Sequence, residues 1–307
     1  MPKVIVIVGP TAVGKTKLSI ALAKKCQAEI ISGDSMQIYR GMDIGTAKVT
    51  PVEMEGVAHH LIDCRHFSEN YSVMDFQREV RKEIAKISER GHLPMIVGGT
   101  GLYIKAALYD YHFDDQGRDE AFLSRFADMD NAKLHAYLAS IDPQSAQSIH
   151  MNNRRRVLRA IEIYETTGKT KSEQIQTNQQ QPLYETLFIG LELEREQLNT
   201  RINERVEQMF ADGLYDEFCR LVEQGAKPDM QSMKAIGYQE LFALKEGQVT
   251  LAEAKEQIAL HSRRYAKRQM TWFRHQMPVH FLKVDLDCFE HTIAQAEDLV
   301  SQFLDEH

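Results

Sequence analysis

The sequence predicts an α/β protein in which a P-loop NTPase-like parallel sheet is interrupted by an inserted all-helical domain. Three observations carry this expectation. The apolar run Val4-Ile5-Val6-Ile7-Val8 leads straight into Gly9-Pro10-Thr11-Ala12-Val13-Gly14-Lys15-Thr16, a complete G-x-x-x-x-G-K-[ST] element, and an amphipathic stretch with Leu18, Ile20, Ala21 and Leu22 follows. Strand-like runs alternate with helical patterns up to about residue 113 and resume after 182, as in a parallel sheet. Between 114 and 182 only helical periodicity is present.

The first strand, loop and helix stand in the order that a phosphate cradle requires. The loop glycines let successive backbone N–H groups curl around a diphosphate, and the helix adds its positive N-terminal dipole. Lys15 supplies a cation, and the Thr16 hydroxyl can hold Mg²⁺. A second strand, Glu29-Ile30-Ile31-Ser32, ends in Gly33-Asp34-Ser35-Met36-Gln37. Loops at the carboxyl ends of parallel strands share one crevice, so Asp34 is expected to face the ligand.

A helix is predicted from Ser72 to Arg90, stopped by Gly91, with Pro94 opening the next strand. That strand, Met95-Ile96-Val97, runs into Gly98-Gly99-Thr100-Gly101-Leu102-Tyr103 rather than into the acid that a Walker-type NTPase places on Mg²⁺. Group transfer from a diphosphate-bearing donor is therefore favoured over ATP hydrolysis. The insertion reads as helices near 119–128, 131–141 and 153–167, broken by Asp142-Pro143 and Gly168, and it ends in the polar tract 174–182. The core then resumes with a buried-type strand, Thr186 to Leu191. A helix follows with an apolar stripe of Leu198, Ile202, Val206, Met209 and Phe210, and a last short strand spans Val279 to Val284. The domains expected are 1–113 with 183–307 as the catalytic core and 114–182 as the insertion.

Composition is that of a globular protein of the cytoplasm. Cys26, Cys64, Cys219 and Cys288 are scattered without a C-x-x-C pair, so neither a disulfide framework nor a zinc site is indicated. No apolar run approaches bilayer length and no signal sequence is recognisable at the N-terminus, so no membrane partner is expected. His59 and His60 would point to opposite faces of a strand with no third ligand suitably spaced, which favours a structural role.

The net charge of −7 conceals clusters of the opposite sign. Arg154, Arg155, Arg156 and Arg159 form one. In the other, Arg264, Lys267, Arg268 and Thr271 recur at i, i+3, i+4, i+7 and line one helical face, beside Tyr265, Trp272 and Phe273. Such a stripe suits a polyphosphate or an RNA backbone, and equally a solvated face whose aromatics enter the core.

Taken together in order, Gly9 to Thr16, Asp34-Ser35-Met36-Gln37-Ile38-Tyr39, Asp43-Ile44-Gly45-Thr46-Ala47-Lys48, His59-His60-Leu61-Ile62-Asp63, Gly98 to Tyr103, Lys234-Ala235-Ile236-Gly237-Tyr238 and Lys267-Arg268-Gln269-Met270-Thr271-Trp272-Phe273-Arg274 resemble the bacterial tRNA dimethylallyltransferases over nearly the whole chain. The resemblance implies transfer of a dimethylallyl group from dimethylallyl diphosphate to N6 of the adenosine 3′ of the anticodon, in tRNAs reading codons that begin with U. It also implies that the insertion grips the anticodon stem-loop. The expected assembly is a monomer.

Roles then follow. Breaking an allylic C–O bond requires a neutralised diphosphate and exclusion of water. The cradle, Mg²⁺ at Thr16 and, by resemblance, Arg205 supply the first; Arg201 is as well explained by a surface ion pair. The adenine amine needs a proton acceptor, for which Asp34 is the candidate, a position nearer Mg²⁺ being its alternative role. Ser35, Met36, Gln37 and Thr100 are expected to face the base, Gln37 through its amide. By resemblance Arg155, Arg156, Val157, Leu158, Arg159, Lys234 to Gln239 and Lys267 to Arg274 contact tRNA. Many relatives carry Asp-Pro-x-x-Arg at the start of the insertion, where this chain has Gly117 to Arg125, leaving Arg118 and Arg125 as alternatives for one contact. The same cradle would also suit a small-molecule kinase or a non-catalytic RNA-binding nucleotide switch.

Overall fold

In the computed structural model, residues 1–111, 120–173 and 181–305 are described. The first unit begins with β1 (Lys3–Val8), α1 (Lys15–Cys26), β2 (Ala28–Ser32), a short α2 (Pro51–Met54), β3 (His59–His60), α3 (Val73–Glu89), β4 (Leu93–Gly98) and α4 (Gly101–Leu108). The second unit supplies α5 (Glu120–Arg125), α6 (Asn131–Ile141), α7 (Pro143–Ser148) and α8 (Arg154–Thr167). The first unit resumes with β5 (Glu185–Glu192), α9 (Arg195–Ala211), α10 (Leu214–Glu223), α11 (Leu241–Lys245), α12 (Leu251–Gln276), β6 (His280–Lys283) and α13 (Phe289–Asp305).

The six strands form one sheet in the order β3-β2-β4-β1-β5-β6, and every pairing is parallel. β1 lies between β4 and β5, and helices cover both faces of the sheet there. That is why Val4 to Val8 can be apolar without alternation. Side chains still alternate: Ile5, Ile7, Ile30, Met95 and Ile189 share one core with α1 and α13, whereas Val4, Val6, Val8, Ile31 and Ile96 share the other with α3, α4 and α12.

Local chemistry sets the helix ends. Ser72 and Asp75 form a reciprocal capping box at the start of α3, and Thr250 with Glu253 does the same for α12. Phe76, Val80, Ile84 and Ile87 then make the buried stripe of α3, each contributing about 1.5–3 kcal/mol of transfer free energy. Gly91, at φ 77°, ends it.

β3 is a two-residue edge strand paired with Ile30 and Ile31. His59 Nδ1 meets the Val57 carbonyl at 2.9 Å and His60 Nε2 meets Glu29 at 2.6 Å, so both rings hold structure. Burial opposes ionisation of Glu29, but Arg90, His92 and His60 hold its carboxyl down at about 2.

The chain divides into Met1–Tyr109 with Pro182–His307, and Asp110–Gln181. The expected cuts were 113/114 and 182/183, and the first falls outside the described residues. Tyr109 bridges Pro182 and Leu183 N donates to Leu108 O, which places the observed divisions slightly earlier. Within the second unit, Leu134, Leu138, Val157, Ala160 and Ile161 pack with Phe122 and Phe126. Asp142 ends α6 and caps α7 through Ser145 N at 3.0 Å. The expected polar tract lies, for residues 174–180, outside the described residues.

Candidate active site

The loop from Gly9 to Thr16 joins β1 to α1 and has positive φ at Gly9, Ala12 and Gly14. Such a turn aims backbone N–H groups into a concavity suited to an anion. Gly14 tolerates no side chain: at φ 105°, an added Cβ would lie 2.8 Å from the Phe289 ring. Ala12, a non-glycine residue at φ 63°, has its carbonyl anchored by Arg201 Nε at 2.8 Å. Lys15 Nζ donates to the Gly9 and Pro10 carbonyls at 2.9 and 2.7 Å. Burial lowers the Lys15 pKa to about 8, with Asp34 opposing and Arg205 adding to the shift. Val13 sits beneath the loop in the core.

Asp34 follows the end of β2. The approach there is close, since a Cβ on Gly98 would stand 2.2 Å from the Gly33 carbonyl carbon. Asp34 Oδ1 accepts from Met36 N at 2.8 Å, a local turn that fixes the carboxylate. Burial pushes the Asp34 carboxyl above the usual range, opposed by the Met36 and Gln37 N–H groups and by Lys15 and Arg205. Thr100 Oγ1 accepts from Ser35 N at 3.3 Å and ties this turn to the start of α4. The carboxyl ends of β1, β2 and β4 therefore meet at one crevice.

The facing wall comes from α9 and α12. Arg205 is half-buried, and its Nε is buried with no hydrogen-bond partner among the described residues. A guanidinium in that condition calls for an anion. Burial lowers its pKa, while Glu53 and Asp34 oppose the shift. On α12, Gln269 Nε2 donates to Gly99 O at 3.0 Å and the Trp272 ring covers Gly101, where an added Cβ would be 2.1 Å away. The Tyr265 hydroxyl lies within reach of Thr100 and Gln269, and burial together with Asp34 raises its pKa to about 12. Arg268 lies over the Tyr265 ring at 5.6 Å.

Two of the sequence motifs are joined by a residue outside both. The buried Glu217 carboxylate accepts from Asp43 N, Ile44 N and Gly45 N at 3.0–3.2 Å and from Tyr238 Oη at 2.6 Å. Lys48 Nζ closes the same loop onto Tyr39 O, Asp43 and Asp63 at 2.7, 2.6 and 2.5 Å. Gln37 Nε2 donates to the Thr46 and Ala47 carbonyls, both at 3.3 Å, and its Oε1 accepts from Ser32 Oγ at 3.2 Å. The amide expected to read a base is thus engaged in shaping the loop.

A cavity of about 980 Å³ brings together Thr11, Ala12, Gly14, Lys15, Thr16, Asp34, Ser35, Met36, Gln37, Arg205, Lys234, Ala235, Ile236, Gln239, Arg268 and Gln269. Other expected residues lie elsewhere. Tyr238 and Phe273 are buried in the core, Gly237 N donates to Glu240 at 2.8 Å, and Trp272 and Met270 are half-buried. Lys267, Thr271 and Arg274 are exposed along α12, with Arg274 paired to Glu192 at 2.6 Å. In the helical unit Arg155, Arg156 and Arg159 are exposed, Arg159 meeting Glu162 at 2.7 Å. Val157 is buried in its core and offers its side chain to packing rather than to a ligand, while Leu158 is half-buried against that core. Arg125 pairs with Glu165 at 2.8 Å, whereas Arg118 lies outside the described residues.

Sequence reasoning missed Glu217 and gave Tyr265 only a generic place. The signal for Glu217 was present: it shares the buried face of α10 with Leu214, Phe218 and Leu221, where a carboxylate needs partners. For a metal, the donor set is sparse. Among the described residues no group of three His, Cys, Asp or Glu could hold one. The Thr16 hydroxyl at the cavity is a hard oxygen donor, and it fits Mg²⁺ whose remaining ligands come from diphosphate and water. No helix among the described residues is long and apolar enough to cross a membrane.

Residues 37–276 match the family model described as IPP transferase. The chain is 58% identical over 281 residues to a tRNA dimethylallyltransferase of Geobacillus thermodenitrificans, covering 90% of this chain and 89% of that protein. It is 54% identical over 280 residues to the tRNA dimethylallyltransferase of Bacillus subtilis, with the same coverage of each. Among solved structures it is similar to a tRNA delta(2)-isopentenylpyrophosphate transferase from Staphylococcus epidermidis, with TM-score 0.74, 47% identity and coverage of 98% and 99%. It is also similar to a eukaryotic dimethylallyltransferase acting on tRNA, with TM-score 0.84, 32% identity and coverage of 98% of this chain and 80% of the other.

Proposed function

The chain belongs to the IPP transferase family, and from that premise we propose how its cavity works as an enzyme site. The protein transfers a dimethylallyl group from dimethylallyl diphosphate to tRNA. The acceptor is the N6 amine of the adenosine 3′ of the anticodon, in tRNAs reading codons that begin with U. The observation that carries this reading is the meeting, in one cavity, of an Asp34 carboxyl with a raised pKa and two cations suited to a diphosphate, Lys15 and Arg205.

In the reaction the amine nitrogen forms a bond to the allylic carbon as the bond from that carbon to the diphosphate oxygen breaks. The electron pair leaves on the diphosphate, and one amine proton goes to Asp34. The loop N–H groups, Lys15 and the orphan Arg205 Nε bind the leaving group. Mg²⁺, when bound at Thr16, supplies further charge neutralisation there. A raised carboxyl pKa makes Asp34 a better proton acceptor for a weakly basic amine than an exposed aspartate would be. Thr100 and Ser35 fix the turn that presents Asp34, and Met36 borders the base. Lys234, Ile236 and Gln239, the exposed face of α12 and the arginines of the helical unit take the anticodon stem-loop. The protein acts in the cytoplasm as a monomer.

The test is product analysis. The protein is incubated with labelled dimethylallyl diphosphate and an anticodon stem-loop, and the RNA is digested to nucleosides. One labelled N6-dimethylallyladenosine per RNA is expected. Label on another nucleoside, or transfer of phosphate from ATP to the RNA or to a small acceptor in a parallel reaction, would overturn the reading.

A further inference from the structure

Gln269 is only 8% exposed and lines the cavity, yet its Oε1 is buried without a hydrogen-bond partner among the described residues. The orientation of the amide is fixed by chemistry. Gly99 O can only accept, so the amide end 3.0 Å from it must be the nitrogen, and the other end must be the oxygen. The two groups are in close approach: a Cβ at position 99 would stand 2.0 Å from Gln269 Nε2 and would displace the amide from this position. The protein therefore holds a desolvated acceptor in place, a condition that disfavours the empty site until a donor arrives.

We infer that Gln269 Oε1 accepts the second N–H of the attacking exocyclic amine. This rests on the proposed acceptor. Arg205 Nε, the orphan donor of the same cavity, matches the anionic leaving group, and Gln269 Oε1, the orphan acceptor, matches a group with hydrogens to give. An attacking amine has two. One proton is lost to Asp34 as the C–N bond forms; the other stays on nitrogen and keeps its bond to Gln269 through to the product. Two acceptors on one –NH₂ also orient the nitrogen, leaving its lone pair directed at the allylic carbon.

The experiment compares single-turnover transfer to stem-loops carrying adenosine or N6-methyladenosine at the target position, with wild type and Gln269→Met. The methylated amine has one N–H, which Asp34 needs, so its methyl group must face Gln269. Wild type is expected to prefer adenosine, and Gln269→Met to shrink that preference by about tenfold, the worth of roughly one hydrogen bond. An equal slowing on both RNAs would make Gln269 a structural residue and overturn the inference. Absence of transfer to the adenosine RNA by wild type would instead defeat the function reading. If Gln269→Met does not fold, wild-type affinity for a stem-loop with purine in place of the target adenine decides: at least tenfold weaker binding is expected, and equal affinity overturns the contact.

Discussion

Tyr238 Oη donates to the Glu217 carboxylate at 2.6 Å, and the same carboxylate receives three consecutive N–H groups from Asp43 to Gly45. One buried side chain on α10 thereby joins two segments that are nearly two hundred residues apart in sequence. Gly45 is small because it must be: a Cβ would lie 2.4 Å from the Tyr238 ring. Glu217→Ala would leave three half-buried N–H groups and a buried phenol unpaired, a loss of about 3 kcal/mol. Tyr238→Phe removes one bond and costs about 1 kcal/mol. Urea unfolding of the two variants checks the order; equal, negligible losses would show that the junction is not structural.

The glycines of the β4–α4 turn make a steric prediction. Gly101→Ala meets the Trp272 ring and Gly98→Ala meets the Gly33 backbone. A side chain can shift where a backbone cannot, so Gly98→Ala should destabilise more, by about 3 kcal/mol against about 1–2 for Gly101→Ala. Thermal unfolding would reveal a reversed order, which would contradict the packing described.

The two cavity ionisations predict a bell-shaped dependence of kcat/KM for dimethylallyl diphosphate on pH. Asp34 must be ionised to accept a proton, so activity rises through an acid limb lying above the ordinary aspartate range. Lys15 must be charged to bind the diphosphate, so activity falls again as pH passes about 8. The full profile, taken on free enzyme, tests both; a flat alkaline limb up to pH 10 would count against the Lys15 assignment.

Lys267 and Arg264 stand exposed on the face of α12 that also carries Arg268 and Thr271. Each alanine substitution should lower the salt slope of stem-loop binding by about one ion and weaken affinity alike for all RNA sequences. Binding measured across a salt series separates this from base reading, which would leave the slope unchanged.

How much of this could be read from the chain depends on the range of each interaction. The P-loop, the helix from Ser72 and the helix from Asn131 were legible because caps, apolar period and stop residues all lie within one local window. β3 could be supposed at His59 and His60, but two residues carry no period from which to fix its bounds or its pairing. At the site, Lys15, Asp34 and Arg205 could be placed from loop position and resemblance. The use of Gln37 could not, because its amide is claimed by carbonyls at 46 and 47 whose position Glu217 sets from α10. The fit of the Trp272 ring against Gly101, and of the Gln269 amide nitrogen against Gly99, is likewise set by tertiary packing that no local window shows.

Asp34→Asn in single-turnover transfer, with both substrates saturating and stem-loop affinity measured alongside, isolates the proton-accepting role of Asp34. Asparagine preserves the shape of the turn but cannot take the amine proton, so the rate of transfer should fall by about 10²–10⁴ while affinity changes less than about threefold. A rate within tenfold of wild type, or a loss of affinity as large as the loss of rate, would contradict the role of Asp34 as the group that receives that proton.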